Sequence, residues 1–175
     1  FRIVTKRQTT ADEVGELILS LIERRGIDPS EIAGAVLASV VPQLTGPLQV
    51  MAVKYFERTP LLFEPAVNGG MPILSDNPAE VGADRIVNAL AALDQWGLGK
   101  PIIVVDFGTA TTFDAISAKG EYLGGVICPG PQISADALFQ RAARLPRIEV
   151  GKPERVIGTN TVASMQSGLF WGYVD

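Results

Sequence analysis

The stretch Val104-Val105-Asp106-Phe107-Gly108-Thr109-Ala110-Thr111-Thr112-Phe113-Asp114 joins two strand-like runs through one glycine and a group of small hydroxyl residues. A β-branched apolar run, Ile102 to Val105, reads as a buried strand ending in a carboxylate. Glycine then permits either a close backbone approach or a turn at positive φ. Threonine hydroxyls and turn amides can donate to phosphate oxygens, and concave turns of this kind bind anions. An acid at the strand end can hold a cation beside such phosphates. The same residues also suit an ordinary turn with Asp106 as its cap. The phosphate-gripping hairpin makes nucleotide chemistry the first expectation.

Upstream of this hairpin, Gly97-Leu98-Gly99-Lys100-Pro101 is the best internal boundary, dividing the chain into residues 1–97 and 98–175. The first part opens strand-like at Arg2-Ile3-Val4-Thr5. Thr10 and Glu13 have capping-box spacing, with Val14, Leu17, Ile18, Leu21 and Ile22 recurring at helical period before Gly26. Ile32 to Val41 reads as a buried strand. A helix is expected over residues 43–56, with Leu44, Leu48, Met51, Ala52 and Tyr55 inward, then a short strand at Leu61-Leu62-Phe63 and a loop over residues 68–78. A further helix over residues 81–96 would bury Ile86, Val87, Leu90, Ala91 and Leu93. The second part adds strands near residues 111–117 and 121–127 turned by Lys119-Gly120, a helix over residues 132–144, and another from about Asn160. Strand–helix alternation followed by a hairpin with helices indicates a mixed α/β chain in two lobes.

Composition narrows the chemistry. The 175 residues, 47% hydrophobic and 19% charged, can bury a sizeable core. A net charge of −4 without basic clusters argues against nucleic acid as a partner. The single cysteine, Cys128, excludes an internal disulfide, and the absence of histidine removes the usual zinc sites and every His-dependent triad. Proton transfer must then fall to Asp, Glu, Lys or Tyr. The longest apolar run, Ile32 to Val41, is far short of the roughly 20 residues that span a membrane. With no signal peptide visible, a cytoplasmic protein is expected. The strand-like opening and the aromatic ending at Leu169-Phe170-Trp171-Gly172-Tyr173, which later chain would ordinarily cover, suggest an internal fragment.

Two further segments carry candidate chemistry. Gly82-Ala83-Asp84-Arg85 opens a helix, where an aspartate suits the dipole and Arg85 could be a surface partner. Alternatively, Asp84 accepts a proton from a substrate hydroxyl while the Arg85 fork clamps an acidic group. Gly158-Thr159-Asn160-Thr161 precedes the last helix; it reads as a cap, or as a place where Thr161 donates to a bound anion. Cys128, between Ile127 and Pro129, reads as a packed small hydrophobe rather than a reactive thiol.

Taken together, the chain resembles type III pantothenate kinases, members of the actin-like superfamily of sugar kinases, acetate kinases and heat-shock ATPases. The resemblance rests on Asn77-Pro78-Ala79-Glu80-Val81-Gly82-Ala83-Asp84-Arg85-Ile86-Val87-Asn88-Ala89 and on Val105 to Asp114. Gly124-Gly125 with Pro129-Gly130, Ser39-Val40-Val41-Pro42 and Gly158-Thr159-Asn160-Thr161 add to it. It implies a two-lobed ribonuclease H-like (actin-like ATPase) fold, incomplete at both ends, and transfer of the ATP γ-phosphate to the 4′-hydroxyl of pantothenate. Asp84 then falls on the proton acceptor, Gly82, Ala83, Asp84 and Arg85 on the pantothenate-binding segment, and Thr161 on another pantothenate contact. Asp106 falls on the monovalent-cation ligand and Thr109 on an ATP contact. Magnesium, potassium or ammonium, and a homodimer are implied as well. Family members open on a phosphate loop of the form Asp-x-Gly-Asn-Thr, which precedes the part matched here, and some have tyrosine at about Ser75. A phosphatase in which Asp84 orients water, or a catalytically silent regulatory protein, are the competing readings on the same scaffold.

Overall fold

The computed structural model describes every residue except Arg2, Thr5, Arg7 and Asp175, and only the backbone of Asn68 and Val174. The chain divides into two compact units, residues 1–97 with 120–122, and residues 98–119 with 123–175.

In the first unit, α1 (Ala11–Glu23) begins at a capping box. Thr10 Oγ1 accepts from the Glu13 backbone N–H at 3.2 Å, and Glu13 accepts from the Thr10 N–H at 2.8 Å. Gly26, at φ 70°, follows the helix and turns the chain away. After a 3-10 turn at Pro29–Glu31 come β1 (Val36–Leu37), α2 (Pro42–Phe56) and β2 (Leu61–Leu62), the two strands pairing in parallel. Helix α1 packs on α2 so closely that Gly15 lies directly under the Tyr55 ring. Val14, Leu44, Met51 and Ala52 are buried there, and Asp12 ties the outer edge by accepting from Lys54 at 2.6 Å and Tyr55 at 3.0 Å. A short helix, α3 (Pro65–Asn68), and a 3-10 turn at Pro78–Glu80 lead to α4 (Ala83–Trp96), which ends at Gly97 with φ 73°. The Tyr122 backbone brackets Ile73, donating to Pro72 O and accepting from Leu74 N, both at 2.8 Å.

The second unit is built on a sheet of β3 (Ile102–Phe107), β4 (Ala110–Ile116) and β5 (Tyr122–Pro129), in the order β3-β4-β5. Helices α5 (Pro131–Arg141) and α6 (Thr161–Val174) complete it. Ala135, Ile148, Met165 and Leu169 form its core. Among the described residues no helix is long and apolar enough to cross a membrane.

Several expectations need correction. Ile32–Val41 is not a buried strand: only Val36 and Leu37 pair, and Val36 and Val40 are exposed. An apolar run is buried only where neighbouring elements cover it. Ile3 and Val4 form no strand, while Arg2 and Thr5 lie outside the described residues. The buried face of α4 is Ala83, Ile86, Ala89 and Ala92, whereas Val87 and Ala91 are exposed. Small residues permit the closest approach, so the buried stripe is rotated from the one hydrophobicity suggests. Strand β3 lies at the sheet edge and is largely exposed; the central strand β4 carries the buried positions. Helix α5 stops at Arg141. Apart from these corrections, Leu169 lies in the core of the second unit, and Phe170, Trp171 and Tyr173 are half-buried.

Candidate functional site

The first unit holds the acid–arginine segment. Gly82 is the N-cap of α4 with an ordinary extended backbone, φ −58° and ψ 140°. It supplies no side-chain cap, and the Asp84 carboxylate occupies the vacant space: a Cβ on Gly82 would lie 2.6 Å from Asp84 Oδ1. That oxygen accepts the Arg85 backbone N–H at 2.9 Å, a donor shared with the Gly82 carbonyl at 3.2 Å. Asp84 is exposed, so a solute can reach the carboxylate. Ala83 is buried and anchors the turn. Arg85 is half-buried, its guanidinium 5.6 Å from the centroid of the fully buried Tyr122 ring. Such a stack holds a planar cation in place at a cost in freedom paid before any ligand arrives. Ser75 has a buried hydroxyl without a hydrogen-bond partner.

The second unit holds the hairpin. Strands β3 and β4 are antiparallel, with Asp106 opposite Thr112 and Phe107 opposite Thr111, leaving Gly108 and Thr109 as the turn. Gly108 is not one of the positive-φ glycines, and a Cβ there would meet only Ala110 O, at an ordinary 3.4 Å, so neither reason for glycine applies at this position; its N–H donates to Ala110 O at 3.0 Å. Asp106 and Thr109 are exposed. Directly paired residues share a sheet face, as do residues two apart in one strand. Asp106, Thr112 and Asp114 therefore project from one face. Asp114 is completely buried and accepts from Thr112 Oγ1 at 3.1 Å. Its place in the strand was legible, but the sequence assigned it no role; the two-residue spacing from Thr112 was the available signal. No group of three or more His, Cys, Asp or Glu side chains able to hold a metal occurs among the described residues. A cation at Asp106 would thus complete its shell with hydroxyl, water or phosphate oxygens, which suits hard cations.

Thr161 is the exposed first residue of α6. Asn160 is the cap, its Oδ1 accepting the Ala163 N–H at 2.9 Å. Gly158 packs against the first turn, where a Cβ would meet Ser164 N at 2.4 Å. Thr161 borders an open hollow of about 760 Å³ with Leu138, Leu145, Asn160 and Ser164. The predicted residues therefore fall into two groups. Gly82, Ala83, Asp84 and Arg85 share one helix start in the first unit; Asp106 and Thr109 share one hairpin in the second, with Thr161 on a separate helix of that unit.

Comparison with known proteins is consistent along the whole chain. The family model described as type III pantothenate kinase matches residues 1–175. The type III pantothenate kinase of Myxococcus xanthus is 55% identical over 99% of this chain and 67% of its own length. That of Anaeromyxobacter dehalogenans is 54% identical over 99% of this chain and 68% of its own length. A solved structure from Campylobacter jejuni, described as a conserved protein of the Baf transcriptional activator family, superposes with a TM-score of 0.51 at 24% identity. It covers 77% of this chain and 57% of that one, and the likeness concerns the fold alone.

Proposed function

This chain belongs to the type III pantothenate kinase family, and from that premise we propose that it transfers the γ-phosphate of ATP to the 4′-hydroxyl of pantothenate, the first step toward coenzyme A. It spans about two thirds of the length of its relatives, so the proposal concerns the activity of the full-length protein. The observation that carries it is the exposed Asp84 carboxylate, held at the start of α4 by the Arg85 N–H in space that Gly82 leaves free.

In this reading the substrate oxygen bonds to the γ-phosphorus while the bond to the β,γ-bridging oxygen breaks, and the hydroxyl proton passes to Asp84. Phosphoryl transfer demands positioning and charge stabilisation more than covalent help. A positioned carboxylate within reach of the substrate hydroxyl is a suitable acceptor in a sequence without histidine. Arg85, held against Tyr122, pairs with the pantothenate carboxylate through its forked donors. Gly82 and Ala83 present the backbone of the same segment, and Thr161 donates to pantothenate. Thr109 contacts ATP. Asp106 would hold potassium or ammonium, and the oxygen-rich face it shares with Thr112 fits such an ion; magnesium would be held mainly by ATP oxygens. These cations would neutralise phosphate charge. We assign the two units to the ribonuclease H-like lobes of an actin-like fold, and the working protein to a cytoplasmic homodimer.

Asp84→Asn tests the base directly, because it keeps the shape and removes the basicity. In the full-length enzyme it is expected to lower kcat by about 10²–10⁴, the usual span of a general-base contribution, with KM for ATP little changed. An unaltered kcat removes Asp84 from that role.

A further inference from the structure

Gly130 occupies a position where only glycine fits. A Cβ there would lie 2.4 Å from both Gly108 O and Thr109 O, backbone atoms that cannot swing aside. Its conformation, φ −66° and ψ 160°, is open to any residue, so close approach is what demands glycine. From this position its N–H donates to the Thr109 carbonyl at 3.0 Å. The hairpin turn thus rests on the N-cap of α5.

The loop carrying Gly130 is itself held from α6. The Tyr173 hydroxyl donates to Pro129 O, and Ser134 Oγ lies 2.9 Å from the same hydroxyl. A phenol has one proton to give; since it goes to Pro129, Ser134 is the donor in the second bond. Pro129 and Pro131 flank the glycine with fixed φ, so the brace has little slack.

We propose that Gly130 is a positioning residue for the nucleotide-binding turn, and that Tyr173 braces it from α6. The amide and missing side chain of Gly130 set where Thr109 stands, so that Thr109, whose side chain stays exposed, meets the nucleotide from one fixed place. This deepens the assignment of Thr109 to ATP and rests on it.

The test compares Gly130→Ala and Tyr173→Phe with the full-length wild type, by steady-state kinetics and by deuterium uptake over residues 105–113. An alanine Cβ displaces the turn by about 1 Å, and misplacement on that scale is expected to lower kcat/KM for ATP by about 10²-fold. Tyr173→Phe removes both hydrogen bonds of this hydroxyl, to Pro129 and from Ser134, without adding bulk and should raise KM for ATP about fivefold. In both variants KM for pantothenate should stay within about twofold of wild type, and the turn should exchange faster. Equal rises in both KM values, or unchanged exchange over the turn in a folded variant, overturns the proposal. If Gly130→Ala does not fold, Tyr173→Phe decides alone: an unchanged KM for ATP with unchanged exchange overturns it. Faster exchange in a protein whose wild type binds no ATP supports the brace and overturns the ATP assignment instead.

Discussion

Gly82→Ala separates catalytic geometry from folding. The added Cβ would lie 2.6 Å from Asp84 Oδ1 and an ordinary 3.5 Å from Val40 Cγ1. The backbone there, φ −58° and ψ 140°, suits alanine without strain. What must give is the end of an exposed side chain, which moves cheaply. Restoring a normal 3.4 Å contact shifts the carboxylate by about 0.8 Å, and since 1 Å of misplacement can cost about 10²-fold, kcat should fall about 30-fold, or roughly 2 kcal/mol of barrier. Stability should change by less than about 1 kcal/mol, the scale of a weakened N-cap. The assay is pantothenate-dependent ADP release by the full-length enzyme, with thermal unfolding measured on the same samples. Gly46→Ala is the control, because nothing lies within 4 Å of a Cβ at that position. A folded Gly82→Ala enzyme with kcat within about twofold of wild type would show that the placement of Asp84 does not limit turnover.

Two further outcomes concern the α1–α2 pair. Gly15→Ala puts a Cβ 2.4 Å from the Tyr55 ring; overpacking of this kind costs about 1–3 kcal/mol, and Tm measured by calorimetry should fall by several degrees, whereas an unchanged Tm would mean the ring is free to move. The capping box should also make stability acid-sensitive. Bonds from Thr10 hold the Glu13 carboxyl below its ordinary value of 4.5, and Lys54 with Tyr55 holds Asp12 below 3.8. Groups depressed in this way stabilise the fold fully above those ordinary values and lose that contribution as pH falls through the lower folded ones. The Tm gap between wild type and Glu13→Gln should therefore be present at neutral pH and close on acidification below 4.5; a gap independent of pH contradicts the capping role.

What the sequence revealed follows from how local each cause is. The Thr10–Glu13 cap and the stops at Gly26 and Gly97 depend on residues a turn apart, and all appear in the structure. The hairpin around Gly108 was legible because both strands and their turn are contiguous. Burial was not, because it depends on distant partners. Ten residues from Ile32 to Val41 look like core, yet only two pair. On α4, Ala83, Ile86, Ala89 and Ala92 face inward, and Val87 does not. At the candidate sites, the residue types at Asp84, Arg85 and Asp106 were readable, but the support around them was not. The contact of Arg85 with Tyr122 links positions 37 residues apart, and the seat of Gly130 on Thr109 requires α5 to start against the hairpin. No periodicity signals either one.

The most direct measurement is incubation of the full-length protein with ATP and pantothenate, with and without potassium, with phosphopantothenate followed by mass spectrometry. Stoichiometric formation of phosphopantothenate and ADP, faster with potassium and abolished without pantothenate, is the expected result. ATP hydrolysis that proceeds equally without pantothenate, or no turnover by a folded full-length protein, contradicts the assignment of Asp84 and its helix start to alcohol phosphorylation.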